Sequence, residues 1–425
     1  MKRDIVPVTH LEAEVSVPGS KSLTQRAMVI AALAEGSTTL YEPLLAEDTL
    51  LLASALKEVG ADIIVEEKAI HLKPIERIQS PFHPLYFGNN GTGIRLMTAL
   101  VALGQGKFVL TGNERLCERP MAPLIYALQS LGVKALSREG KGTPPIEIEA
   151  RGVEGGKVTL TDIESSQYVS ALLIAAPHML KGLELELKGR IPSQPYIEMT
   201  MEIMREFGVE VEAEFPRLFR VNPGQRYVGR TYTVEGDASS ASYFFLAAAV
   251  TGGKIRVVNV NPKSGQGDMR ICQILEELGI EVNLHAKGVE VIGKPMARGF
   301  FSFDLKDIPD MVPTIAILAA VREGVTEIMN VSHLRYKESN RLYALARELN
   351  RVGIRVEEKE DGLIIHGGNP HGAEIETYGD HRIAMSFACL GLTVPGITIL
   401  GSECVGKSFP SFWERFEKLE KSGKA

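Results

Sequence analysis

Six times along the chain a short polar cluster runs straight into an apolar stretch rich in small residues: SKSLTQRAMVIAALA, NNGTGIRLMTALVAL, SSQYVSALLIAAP, GDASSASYFFLAAAV, PDMVPTIAILAAV and GDHRIAMSFACLGL. Anchored at Ser22, Thr92, Ser166, Ser239, Asp310 and Asp380, these segments follow one another at separations of 70, 74, 73, 71 and 70 residues. Stretches that are apolar around their whole circumference predict buried helices. A second series, ALKEVGADIIV, ALQSLGVKAL, IMREFGVEVEA, ILEELGIEVNL and ELNRVGIRVEE, reads as an amphipathic helix that stops at a glycine and continues as a strand of alternating polarity. Those glycines are Gly60, Gly132, Gly208, Gly279 and Gly353. One unit of strand, buried helix, strand, amphipathic helix and further strands explains both series. Such a unit is longer than the usual solenoid repeat of roughly 20–50 residues, so two compact α/β domains of three units each are expected. The boundary is expected in the turn-rich stretch NPGQRYVGRTYTVEGD.

Buried helices need partners for their first-turn N–H groups, and Ser22, Thr92, Ser165, Ser166, Ser239 and Asp380 are residues that can cap. Capping does not account for the cations. Lys21 and Arg26 crowd the first start, Arg95 the second, and Arg382 with His381 the last, where the helix macrodipole disfavours positive charge. Several starts facing one cleft would combine N–H groups, hydroxyls and cations into a site for a multiply anionic ligand. Outside the starts, Lys337, Glu338 and Arg341 in LRYKESNRLYALARELNRVG have the spacing of one helical neighbourhood, although a solvated face is the plainer reading of that spacing. Arg119 precedes a proline in GNERLCERP, and Lys407 falls in the turn-like VGKSFP. Asp310 and Glu338 are the carboxylates available for proton transfer, and spacing leaves open which is acid and which base.

Composition narrows the partners. With 425 residues, 44 % hydrophobic and 24 % charged, the chain has the make-up of a soluble protein of two or three domains. A net charge of −6 argues against nucleic-acid or membrane binding. The four cysteines form no CxxC pair and the nine histidines no HExxH, so neither disulfides, a metal nor a cofactor is expected. Strand-like sequence begins almost at once at DIVPV, which leads to the expectation of a cytoplasmic protein.

The ordered motifs resemble the 5-enolpyruvylshikimate-3-phosphate (EPSP) synthase family, the 3-phosphoshikimate 1-carboxyvinyltransferases. PGSKSLTQR, GNNGTGIR, the ERP at 118–120, the SSQ at 165–167, EGDASSASYF, RYKESNR, DHRIAM and GKSFP follow in the family's order nearly end to end. The resemblance implies an inside-out α/β barrel in two domains of three βαβαββ units, residues 16–232 and residues 1–15 with 233–425, with the active site in the cleft between them. It implies transfer of the enolpyruvyl group of phosphoenolpyruvate to the 5-hydroxyl of shikimate 3-phosphate through a tetrahedral intermediate, by a monomer without cofactor. By the same resemblance Lys21, Ser22, Arg26, Ser165, Ser166, Gln167, Ser193, Tyr196, Asp310 and Lys337 hold shikimate 3-phosphate. Lys21, Gly91, Arg119, Gln167, Arg341, Arg382 and Lys407 hold phosphoenolpyruvate, with Asp310 as base, Glu338 as acid and Lys21 as a third catalytic group. Gly91 occupies the position where family variants carrying Ala resist glyphosate. Three positions depart from the family: His333 replaces a frequent Asn, Gln194 a frequent Lys, and Leu96 a frequent Pro.

Competing readings fit the residues less well. The UDP-N-acetylglucosamine enolpyruvyl transferases carry a reactive Cys five residues before the loop Arg, whereas Cys117 lies two before Arg119. A P-loop needs a glycine directly before Lys21, where Ser20 stands. A binding module that has lost turnover would not need Asp310 and Glu338.

Overall fold

The repeat in the sequence is a repeat of sheets. A computed structural model describes residues 1–422 and contains five four-stranded sheets and one three-stranded sheet. In the third copy, Gly156–Thr161 pairs parallel with Leu183–Lys188, the helix Gln167–Ala175 forming the crossover. Leu183–Lys188 then pairs antiparallel with Leu218–Val221, which carries Glu212–Glu214 on its far edge. The second and fifth copies, built on the central pairs Gln105–Thr111 with Ile146–Arg151 and Gly324–Met329 with Leu363–Gly367, repeat that wiring. This is the βαβαββ unit.

The remaining sheets borrow strands from distant sequence. Thr38–Tyr41 takes Thr231–Thr233 as its parallel partner, so the stretch read as a turn-rich boundary is in part a strand. Its alternation buries Tyr232 between two exposed threonines, and just upstream the buried Tyr227 donates its hydroxyl to the Ile174 carbonyl at 3.0 Å. The chain start serves two sheets: Glu12–Val15 pairs parallel with Lys254–Val257, and Lys2–Asp4 pairs antiparallel with Thr398–Leu400. The chain divides into two compact units, Gly19–Val234 and Met1–Pro18 with Glu235 onward. Each holds its own apolar core.

Three buried helices form the centre of each core. Lys21–Ala32, Gly91–Ala102 and Gln167–Ala175 pack pairwise in one unit; Ala238–Thr251, Val312–Val321 and His381–Gly391 do so in the other. Every residue of Gly91–Ala102 is buried. Alanine, glycine and serine let the axes approach, while each buried Leu, Ile or Val contributes about 1.5–3 kcal/mol. The amphipathic helices lie outside and end as the glycine series predicts, with Gly60, Gly132, Gly208, Gly279 and Gly353 all at positive φ. Among the described residues no helix is long and apolar enough to cross a membrane, and no group of three His, Cys, Asp or Glu is arranged to hold a metal.

Candidate functional site

The buried helices start earlier than the serine and threonine anchors suggest. Ser20, Asn90 and Asp237 are the caps, two residues ahead of Ser22, Thr92 and Ser239, and their side chains accept from the N–H groups of Leu23, Gly93 and Ser240. A short side chain at the cap reaches the N–H three residues on, and Ser20, Asn90 and Asp237 have that geometry. Asp380 does cap its helix, by accepting from Arg382 N at 3.0 Å, and Ser166 occupies a cap position without a side-chain cap bond. The hydroxyls of Ser22, Thr92 and Ser239 therefore lie within first turns, released from the capping role. Gly19 is glycine for a steric reason: a β-carbon there would run into the Glu42 carbonyl.

In the unit of residues 19–234, Lys21 opens its helix and pairs with the buried Asp48, Nζ to Oδ2 at 3.1 Å. Arg26 is only 1 % exposed, and its acceptors are all neutral. Nε donates to Thr200 Oγ1 at 2.8 Å, Nη1 to the Ser22 carbonyl at 3.1 Å, and Nη2 to Ser170 Oγ at 3.0 Å and the Tyr196 carbonyl at 3.4 Å. Burial lowers its pKa to about 10. Tyr196 also donates its N–H to the carbonyl of Ser193, a residue with φ of 59°.

Gly91 is the first residue of its helix, and the Arg119 guanidinium lies against it; Arg119 Nη1 donates to the Asn89 carbonyl and Oδ1 at 3.1 and 3.2 Å. Gln167 opens the third helix, its N–H donating to Ser165 Oγ at 3.2 Å and its Nε2 to Thr92 Oγ1 at 2.8 Å. Leu96 is a buried core residue and Gln194 Nε2 donates to the Ile191 carbonyl at 3.2 Å.

In the other unit the charged residues meet directly. Arg341 is wholly buried among three carboxylates: Nε to Asp380 Oδ2 at 2.8 Å, Nη1 to Asp310 Oδ1 at 2.8 Å and Nη2 to Glu338 Oε2 at 2.7 Å. Arg382 Nη2 takes the other Asp310 oxygen at 2.7 Å, and its Nη1 donates to Tyr243 OH at 3.1 Å. Burial opposes the charge of Asp310, but Arg382, Lys337 and Arg341 outweigh it and hold the carboxyl far below the ordinary aspartate range. Burial likewise opposes the charge of Arg341, and Asp380, Glu338 and Asp310 reverse that effect and raise its pKa. The helix expected to gather Lys337, Glu338 and Arg341 begins only at Arg341, because Asn340 caps it through Tyr343 N. Glu338 reaches Arg341 from outside that helix. Lys407 is buried at the end of the 3₁₀ segment Ser402–Lys407, which packs on the helix His381–Gly391. His333 is buried in the 3₁₀ segment Ser332–Tyr336.

Five supporting residues are missing from the sequence-based set: Asp48, Ser170, Thr200, Tyr243 and Asp268. Asp268 is buried and accepts the Ser239 hydroxyl. Burial first, and then the neighbouring Asp310, raise its pKa to about 7. Ser170 left a trace, as a polar residue inside the otherwise apolar QYVSALLIA.

Comparisons with known proteins cover nearly the whole chain. The family model for EPSP synthase (3-phosphoshikimate 1-carboxyvinyltransferase) matches residues 5–416. A 3-phosphoshikimate 1-carboxyvinyltransferase of Syntrophobacter fumaroxidans is 42 % identical over 423 residues, 99 % of this chain and 100 % of its own. One from Methanothermobacter thermautotrophicus is 43 % identical, with 96 % of each chain covered. The solved EPSP synthase of Acinetobacter baumannii superposes with a TM-score of 0.81 at 30 % identity, covering 98 % of both chains.

Proposed function

The chain belongs to the EPSP synthase family, and from that premise we infer how its residues carry the family's reaction. The chain acts in the shikimate pathway, transferring the enolpyruvyl group of phosphoenolpyruvate to the 5-hydroxyl of shikimate 3-phosphate and releasing inorganic phosphate. Both substrates carry a phosphate and a carboxylate, so binding calls for dense, oriented cations and neutral donors. In the proposed arrangement Lys21, Ser22, Arg26, Ser165, Ser166, Gln167, Ser193, Tyr196 and Lys337 hold shikimate 3-phosphate. Asp310 faces its 5-hydroxyl. Lys21, the Gly91 backbone, Arg119, Gln167, Arg341, Arg382 and Lys407 hold phosphoenolpyruvate.

The observation that carries this reading is the sharing of Asp310 between Arg341 and Arg382, with Glu338 on the same guanidinium. A carboxylate held by two arginines is a weak base. Phosphoenolpyruvate supplies its own anions to Arg341 and Arg382, which loosens their hold on Asp310 and on Glu338, returning basicity to Asp310 and letting Glu338 take up a proton from solvent. Asp310 then takes the 5-hydroxyl proton as the oxygen bonds to the central carbon of phosphoenolpyruvate, while Glu338 delivers a proton to its methylene carbon. The tetrahedral intermediate collapses when the carbon–oxygen bond to phosphate breaks, the methyl group returning its proton to the Glu338 carboxylate while the proton on Asp310 passes to the departing phosphate. Lys21 stabilises the departing phosphate. The cations meet the charge demand of every step, so the reaction as proposed uses no cofactor. Its proposed setting is the cytoplasm and its proposed active form a monomer.

Phosphate release in the presence of both substrates tests this reading. Release is expected only when shikimate 3-phosphate and phosphoenolpyruvate are both present; tight binding of the first with no phosphate formed would overturn it.

A further inference from the structure

Arg95 belongs to neither ligand set proposed above, yet it touches both flanks of one. It lies on the second turn of the helix Gly91–Ala102 and is 3 % exposed. Its guanidinium is divided between two other elements: Nη1 donates to Gln167 Oε1 at 2.5 Å and Nη2 to the Pro120 carbonyl at 2.9 Å. The Tyr168 ring lies 5.1 Å from Arg95 Cζ, and the Tyr168 hydroxyl donates to the same Pro120 carbonyl at 2.6 Å. The Gln167 amide is thereby oriented at both ends. Its oxygen faces Arg95 and its nitrogen donates to Thr92, three residues earlier on the Arg95 helix. Pro120 directly follows Arg119, so the second anchor fixes the backbone that presents Arg119.

We propose that Arg95 is a positioning residue for phosphoenolpyruvate: it holds the Gln167 amide and the Arg119–Pro120 backbone in register through one guanidinium. The proposal rests on the reading that Gln167 and Arg119 bind phosphoenolpyruvate. A guanidinium suits the task because its planar fork offers donors at a fixed divergence, whereas a lysine ammonium presents a single flexible point charge. Without the anchor, the Gln167 side chain regains rotamer freedom and its amide loses the partner that sets which face is oxygen. Both acceptors are neutral, so the Arg95 charge is left to add to the positive potential around Arg119.

Steady-state kinetics of Arg95→Lys, Gln167→Ala and the double variant test it, with KM for phosphoenolpyruvate and kcat read separately. The lysine variant is expected to raise that KM tenfold or more, with a smaller change in kcat. The double variant is expected to fall at least threefold short of the product of the single effects, because the two residues act as one unit. An unchanged KM in Arg95→Lys, or effects that simply multiply, overturns the proposal alone. A Gln167→Ala variant with unaltered KM overturns the ligand assignment of Gln167 and the proposal with it. If Arg95→Lys fails to fold, Arg95→Gln, which keeps a neutral donor in place of the guanidinium fork, replaces it. A rise in KM for phosphoenolpyruvate then supports the proposal and an unchanged KM rejects it.

Discussion

A β-carbon at Gly91 would stand 2.5 Å from the Arg119 guanidinium carbon, so the absence of a side chain at one helix start is what admits the cation beside it. The obstructing atoms are the far end of a flexible side chain, which can retreat without disturbing the core. Gly91→Ala should therefore fold normally and lose function selectively. Displacing one charge-assisted contact of roughly 1.5–3 kcal/mol should raise KM for phosphoenolpyruvate about tenfold or more. Glyphosate inhibition should weaken in the same variant. Inhibition and KM both at wild-type values would show that Arg119 does not need the space.

Glu338→Gln keeps the shape and a hydrogen-bonding oxygen for Arg341 but has no acidic proton to deliver. Loss of general-acid catalysis typically costs 10²–10⁴-fold, so kcat should fall by about that factor. Shikimate 3-phosphate affinity should change much less. Turnover close to wild type would remove Glu338 from the proton-transfer role.

Asp268 gives the stability of the protein a pH dependence of definite sign. Its native pKa of about 7 lies above the ordinary aspartate value near 3.8, so between those values the native state holds a proton that the unfolded chain has released. Stability must then fall as pH rises through that window, by on the order of 2–4 kcal/mol from this group. Asp268→Asn keeps a neutral acceptor for Ser239 and should flatten that decline. Urea denaturation of both proteins from pH 4 to 8 measures it, and parallel curves would refute the assignment.

What the sequence made legible was whatever repeats along the chain. The six buried helices, the amphipathic helices ending at Gly60, Gly132, Gly208, Gly279 and Gly353, and the cations at helix starts are all local patterns. Long-range partners were not local. Thr231–Thr233 reads as part of a turn-rich stretch because three residues carry too little periodicity to declare a strand, and only pairing with Thr39 and its neighbours makes it one. Ser170 and Thr200 matter because Arg26, from a different repeat, donates to both of their hydroxyls. The sequence does not single out the caps, because Ser22, Thr92 and Ser239, two places beyond Ser20, Asn90 and Asp237, are themselves capping residue types. Asp310 and Glu338 were found as chemistry beside cations, but their shared hold on Arg341 required the fold.

In the proposed mechanism Asp310 is a working base whose charge Arg341 and Arg382 neutralise until phosphoenolpyruvate binds. Asp310→Asn tests it most directly, with kcat for phosphate release and the Kd for shikimate 3-phosphate measured on the same preparation. We expect kcat to fall by roughly 10²-fold or more while Kd changes by less than about tenfold, since the amide keeps the hydrogen-bonding shape but cannot accept the proton. A variant that releases phosphate at near wild-type kcat would contradict the account.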